Sequence, residues 1–268
     1  MNRLSSSVIL KESNTNPSDF RDTESLFGEK QTCDSLLAGL STSADQADTC
    51  SVFTPLHYEP DYAYPLLIWL HGKGHNESQL RHVMPKISMR NYAAIAPRGP
   101  SSVGQACFGE LDDAFSWSLK DAHISQAIDS VCAAIEQAGT RFHIDPDRIF
   151  LVGSGSGGTM ALQIGMTLPE RFCGIISLGG SLPQLGTPLS HLTASRRLPL
   201  LLSVDRDNKE YPDALVCQDL RLLHIAGMTI TLRQYPAGNA LSDSMLADID
   251  QWIMEAIMDQ QRAPIVSC

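Results

Sequence analysis

Three stretches of the chain are almost unbroken in apolar character: Leu66-Leu67-Ile68-Trp69-Leu70, Ile149-Phe150-Leu151-Val152 and Leu200-Leu201-Leu202-Ser203-Val204. A strand with one face in water alternates polar and apolar residues. A strand without that alternation is covered on both faces, the situation of parallel sheets clad by helices. Shorter β-rich runs occupy residues 51–56, 92–96, 174–178 and 229–234. Helical stretches lie between the strands, over 78–88, 121–139, 157–168, 212–226 and 244–258. Ile124, Ile128, Val131 and Ile135 recur at helical spacing, as do Leu246, Ile249, Ile253 and Ile257. The pattern predicts an α/β fold with a doubly wound, mostly parallel sheet. Ligands of such sheets sit at the carboxyl ends of the strands.

Length and charge narrow the choice further. At 268 residues and 43% apolar, the chain can bury one sizeable core as a single domain. Residues 1–50 are rich in Ser, Thr, Asp and Asn and hold two aromatics, Phe20 and Phe27. Such a composition buries too little surface to offset chain entropy. The expected organisation is a flexible polar arm over 1–50, with a short helical stretch at 34–40, and an α/β domain over 51–262. A formal net charge of −10 repels phosphate backbones and anionic lipid, so no nucleic-acid partner is expected. No window approaches the roughly 20 apolar residues of a membrane span. The N-terminal region offers only Val8 to Leu10 as an apolar core, too short for a signal peptide. Seven cysteines without CxxC spacing point to reduced thiols. A cytoplasmic location is the expectation, and the oligomeric state stays open.

Three loops at predicted strand ends are candidates for chemistry: His71-Gly72-Lys73-Gly74, Gly153-Ser154-Gly155-Ser156-Gly157-Gly158 and Ala237-Gly238-Asn239. With the blocks Ala96-Pro97-Arg98-Gly99 and Leu168-Pro169-Glu170-Arg171-Phe172, they resemble the phospholipase/carboxylesterase branch of the α/β-hydrolases. Acyl-protein thioesterases and dienelactone hydrolases are its relatives, and the resemblance spans about residues 51–258. It implies the α/β-hydrolase fold, an oxyanion hole from the His-Gly-x-Gly turn and the elbow, and a triad ordered nucleophile, acid, histidine.

At the triad positions the sequence departs from that family. Anchored on Gly153 and Gly157, the G-x-S-x-G elbow places Gly155 where the nucleophile belongs, and glycine carries no attacking group. The acid, counted back from Pro212, falls on Asn208, with Asp207 one residue away as the alternative. The base position after Gly238 is Asn239. Independently of any alignment, the last histidine is His224, and residues 225–268 contain none. The resemblance thus implies a carboxylesterase scaffold with a degenerate triad. A binding or regulatory role in the retained cleft follows, with a small acyl or carboxylate-bearing ligand or a protein as partner.

The same residues admit other readings. Ser156, or Ser154, could serve a weak or rewired hydrolase of esters or thioesters with Asp207 nearby, yet either serine lacks an activating base. Gly153-x-Gly155-x-x-Gly158 also spells a dinucleotide fingerprint, but GIISLGGSL after it lacks the acidic residue that fingerprint requires. His71, His75 and His82 lie in and after a glycine-containing loop without a flanking carboxylate pair, so no metal and no cofactor is expected. His71 is read as bracing its turn. Gly72, Lys73, Ser156 and Trp117 are the expected oxyanion-hole and cleft residues, with Lys73 suited to attract an anion.

Overall fold

A computed structural model describes residues 50–105, 113–183, 192–236 and 241–262. The arm expected over 1–50 lies outside the described residues except for Cys50, and so does Asn239. Seven strands build one sheet: β1 (Cys50–Phe53), β2 (Tyr64–Leu70), β3 (Ala93–Pro97), β6 (Ile144–Ser154), β7 (Gly174–Leu178), β8 (Leu200–Asp205) and β9 (Ile230–Tyr235). Their spatial order is β1-β3-β2-β6-β7-β8-β9. β1 pairs antiparallel with β3, and all other neighbours are parallel.

Among the described residues five helices of nine residues or more flank the sheet: α1 (Gln79–Ile87), α2 (Asp121–Arg141), α3 (Ser156–Thr167), α4 (Asp213–Ile225) and α5 (Asp243–Arg262). The unbroken apolar runs are explained by side chains leaving a strand alternately to opposite faces. Leu66, Ile68, Leu70, Leu151 and Leu202 join α2, α3 and α4 in one core cluster. Leu67, Trp69, Phe150, Val152 and Leu201 join α1 and α5 in the other. In α2 the residues buried against the sheet are Ala127, Val131, Ala134 and Ala138, while Ile124, Ile128 and Ile135 pack at the margin. Small side chains let that helix lie close to the strands. In α5 the predicted set, Leu246, Ile249, Ile253 and Ile257, is buried.

The structure adds one pair of strands that the sequence did not announce. β4 (Ser101–Gln105) and β5 (Asp113–Ser116) form a separate antiparallel pair after β3. Val103 is exposed and the register shifts next to Gly104, so the alternation that marks a strand is missing. The pair hangs over the carboxyl end of the sheet. There the Gly74 N–H donates to Phe115 O at 3.1 Å, and the Phe115 N–H donates to His75 O at 2.8 Å.

Candidate functional site

β6 ends at Ser154 and α3 begins at Ser156, so one residue, Gly155, turns the chain from strand to helix. Its φ of 51° and ψ of −117° are a conformation that costs an L-residue about 1–3 kcal/mol. The Gly155 N–H donates to Leu178 O at 2.8 Å, and its carbonyl accepts from the Thr159 N–H at 3.1 Å. Space on either side of the apex is closed. A Cβ on Gly153 would lie 2.2 Å from Gly157 O, and one on Gly157 would lie 2.2 Å from Leu70 O. At Gly155 itself a Cβ meets nothing within 4 Å among the described residues. The two crowded glycines thus define the register of the elbow, and no described residue crowds its apex.

Beside it, β2 ends in the His71 turn. Leu70 is the register partner of Gly153, so the two loops leave adjacent strands. His71 is fully buried. Its Nε2 accepts from the Gly99 N–H at 2.9 Å, and its Nδ1 lies 2.9 Å from Gly72 O, which makes Nδ1 the protonated nitrogen. Burial lowers its pKa to about 4. A neutral imidazole with both nitrogens engaged is a brace, not a base. Gly99 must be glycine for this contact, since a Cβ there would lie 2.8 Å from Ser116 O.

The structure places Trp117, expected at the cleft, 5% exposed in a core cluster. Its indole N–H donates to His71 O at 3.0 Å, the partner that a buried indole requires. Gly72 offers less to a ligand than its position in the turn implies, because its N–H donates to Gln79 Oε1 at 3.3 Å. The same oxygen accepts from Trp69 Nε1 at 3.0 Å. Lys73 is exposed. Among the described residues no hydrogen bond ties down the backbone N–H of Lys73 or of Ser156. Ser156 opens α3, and the first N–H groups of a helix lack partners within it and favour anions.

Ser154 is buried, with its Oγ and carbonyl facing Gly72. Ser156 is half-buried, and its Oγ accepts from Ser116 Oγ at 3.3 Å. Asn208 is half-buried in the loop after β8, and its side-chain oxygen accepts from the Glu210 and Tyr211 N–H groups at 2.9 and 3.1 Å. That is an Asx turn, in which the amide shapes its own loop. Asp207 beside it is exposed, and so is His224 in the last turn of α4.

Three residues that sequence reading passed over hold these loops. They are Gln79, Ser116 and, in α4, Asp219. Asp219 is fully buried, and its Oδ2 accepts from the Leu182 N–H at 2.8 Å and the Tyr211 hydroxyl at 2.9 Å. One acid thereby ties together the loops after β7 and β8, and burial raises its pKa. With Gln218 and Arg221 close by, the sequence gives no sign of that burial. Among the described residues no cluster of three His, Cys, Asp or Glu could hold a metal ion, and no helix is long and apolar enough to cross a membrane.

Comparison with known proteins agrees with this architecture. A sequence profile of the phospholipase/carboxylesterase family matches residues 59–257. The carboxylesterase SOBER1 of Arabidopsis thaliana is 23% identical over 209 residues, covering 71% of this chain and 90% of that protein. NocK of Nocardia uniformis subsp. tsuyamanensis is 27% identical over 141 residues, covering 51% of this chain and only 38% of that protein. The SOBER1 crystal structure superposes with a TM-score of 0.60 at 21% identity, covering 73% of this chain and 100% of that one. Acyl-protein thioesterase 2 of Zea mays gives 0.61 at 16% identity, covering 78% and 98%. These likenesses establish the α/β-hydrolase fold.

Proposed function

Since the chain belongs to the phospholipase/carboxylesterase family, we propose that it keeps an esterase's cleft but binds a small acyl or carboxylate-bearing ligand there without cleaving it. The observation that carries this reading is Gly155. The residue stands at the apex of an elbow whose register the crowded glycines Gly153 and Gly157 dictate, and it has no hydroxyl or thiol to attack a carbonyl. The sequence supplies no histidine after His224 to act as base from the last loop. His71, buried and engaged through both ring nitrogens, is not a substitute.

Binding needs less than catalysis does. The N–H groups of Lys73 and Ser156 suit an oxyanion or a carboxylate oxygen, and the Lys73 ammonium adds long-range attraction. A site with triad members removed loses about 10⁴ to 10⁶ in kcat and keeps roughly 10³ to 10⁴ over water from the hole and from binding. Ester cleavage at that level would be chemically detectable and biologically negligible. The role that remains is capture of a ligand, with regulation through the occupied cleft.

Octanoate titrated into the ¹⁵N-labelled protein tests this. The reading expects saturable amide shifts at Lys73, Gly155 and Ser156, and no adduct with a fluorophosphonate probe. Shifts confined to other surfaces, or a fluorophosphonate adduct on Ser154 or Ser156, would overturn it.

A further inference from the structure

We propose that two copies of this chain pair through the free edge of β9 to form a symmetric dimer with one continuous sheet. β9 is the last strand of the sheet, and among the described residues its only neighbour is β8. The carbonyls of Thr229 and Tyr235 accept from the N–H groups of Leu200 and Arg206. N–H and C=O of one residue point the same way in a strand, so residues 229, 231, 233 and 235 spend their backbone groups on β8. The backbone groups of Ile230, Leu232 and Gln234 therefore point outward from the edge. Such a row is a template for another strand, and edges not meant to pair are commonly blunted by lysine, proline or a bulge. The run Ile230–Tyr235 has none of these.

The side chains agree with a copy of the same strand as the occupant. Thr231, Arg233 and Tyr235 are held toward α5: Thr231 Oγ1 accepts from Trp252 Nε1 at 3.3 Å, Arg233 pairs with Asp248 at 2.9 Å, and Tyr235 donates its hydroxyl to Asp248. Leu232 is therefore on the α4 face, where it is 42% exposed. α4 exposes two more large apolar residues, Leu222 at 43% and Ile225 at 74%.

A two-fold axis normal to the sheet pairs β9 with itself, antiparallel, and the register must bring side chains of one face together. Centred on Leu232, it sets Leu232 against Leu232 of the second copy, Ile230 against Gln234, and Thr231 against Arg233. The outward groups then form three hydrogen-bonded pairs with two bonds each. No like charges stand opposite, as they would in a register centred on Arg233. Charge points the same way on a larger scale. The chain carries 30 Asp and Glu, yet Leu220 through Ala240 contains none. Two such surfaces can approach without the repulsion that a net charge of −10 otherwise imposes.

Sedimentation velocity on the full chain reads the result. The expectation for wild type is twice the chain mass of 29.2 kDa, and for Leu232→Lys a dissociation constant raised at least about a hundredfold, because the change enters both halves of the contact. Gln234→Pro, which removes an outward N–H and no bond to β8, should act alike and covers the case of a misfolded lysine variant. Leu232→Cys should oxidise to a 232–232 disulfide in the dimer, since opposed Cα atoms in such a pair lie about 5.5 Å apart. A wild-type monomer at roughly 100 µM, a concentration at which mass action favours weak pairs, overturns the proposal. So does a dimer that both Leu232→Lys and Gln234→Pro leave intact, which would place the interface, or another occupant of the edge, elsewhere.

Discussion

Gly155→Ser sets a hydroxyl at the apex of the elbow, and the backbone there fixes what the change costs in stability. The new Cβ meets nothing within 4 Å among the described residues, so none of those has to move. The remaining penalty is that of an L-residue at φ 51°, ψ −117°, about 1–3 kcal/mol. Loss of glycine's freedom in the unfolded chain offsets about 0.4–1 kcal/mol of this. A domain of this size loses about 2–4 °C in Tm per kcal/mol, so the variant should melt cooperatively, at most about 10 °C below wild type. Gly157→Ala is the contrasting change: its Cβ would lie 2.2 Å from Leu70 O and 2.5 Å from His71 O. Backbone would have to move at the centre of the sheet, and a loss above about 4–5 kcal/mol is expected. Thermal unfolding followed by circular dichroism distinguishes the two. If Gly155→Ser is as damaging as Gly157→Ala, or Gly157→Ala is harmless, the register of the elbow is wrong and the reasoning fails with it.

Other outcomes follow from the same geometry. The double variant Gly155→Ser/Asn239→His should cleave short p-nitrophenyl esters well above wild type and above either single change, since such groups act as a unit; additive or absent gains would mean that the oxyanion hole has not survived. His71, with a native pKa of about 4 against 6.5 unfolded, leaves the unfolded chain holding the extra proton between those values. Its contribution is complete above about pH 6.5 and is lost as the pH falls toward 4, amounting to about 3 kcal/mol. Urea unfolding at pH 7 and pH 5 should show less pH dependence in His71→Asn. Asp219→Ala removes the acceptor used by the Leu182 N–H and the Tyr211 hydroxyl and should cost about 2–4 kcal/mol, whereas Asp219→Asn keeps an acceptor and should stay within about 1 kcal/mol of wild type; equal losses for the two would refute the tether.

Much of this fold was legible because burial on both faces leaves a compositional trace. LLIWL, IFLV and LLLSV admit no solvent face, and the helices between them repeat at the helical period. The β4–β5 pair left no such trace, being short, exposed at Val103 and irregular at Gly104. Glycine spacing marked the elbow, since backbone crowding at Gly153 and Gly157 restricts the residue type there. Residues that act through distant partners were hidden. Nothing in the sequence shows that the Trp117 indole is held on His71 O. The Asx turn that Asn208 closes, its amide oxygen accepting from the Glu210 and Tyr211 N–H groups, also leaves no pattern in the sequence. Asp219 is an ordinary helical acid in sequence, and only the convergence of two loops on it gives it a role.

A chain with Gly155 at the elbow apex should be unable to attack an ester carbonyl. Steady-state hydrolysis of p-nitrophenyl butyrate by the purified protein, run beside Ser156→Ala, measures this directly. The predicted result is release of p-nitrophenol without a burst, identical in the two proteins and far below ordinary enzyme rates. Turnover in the usual range of about 1–10³ s⁻¹ that disappears in Ser156→Ala would contradict it.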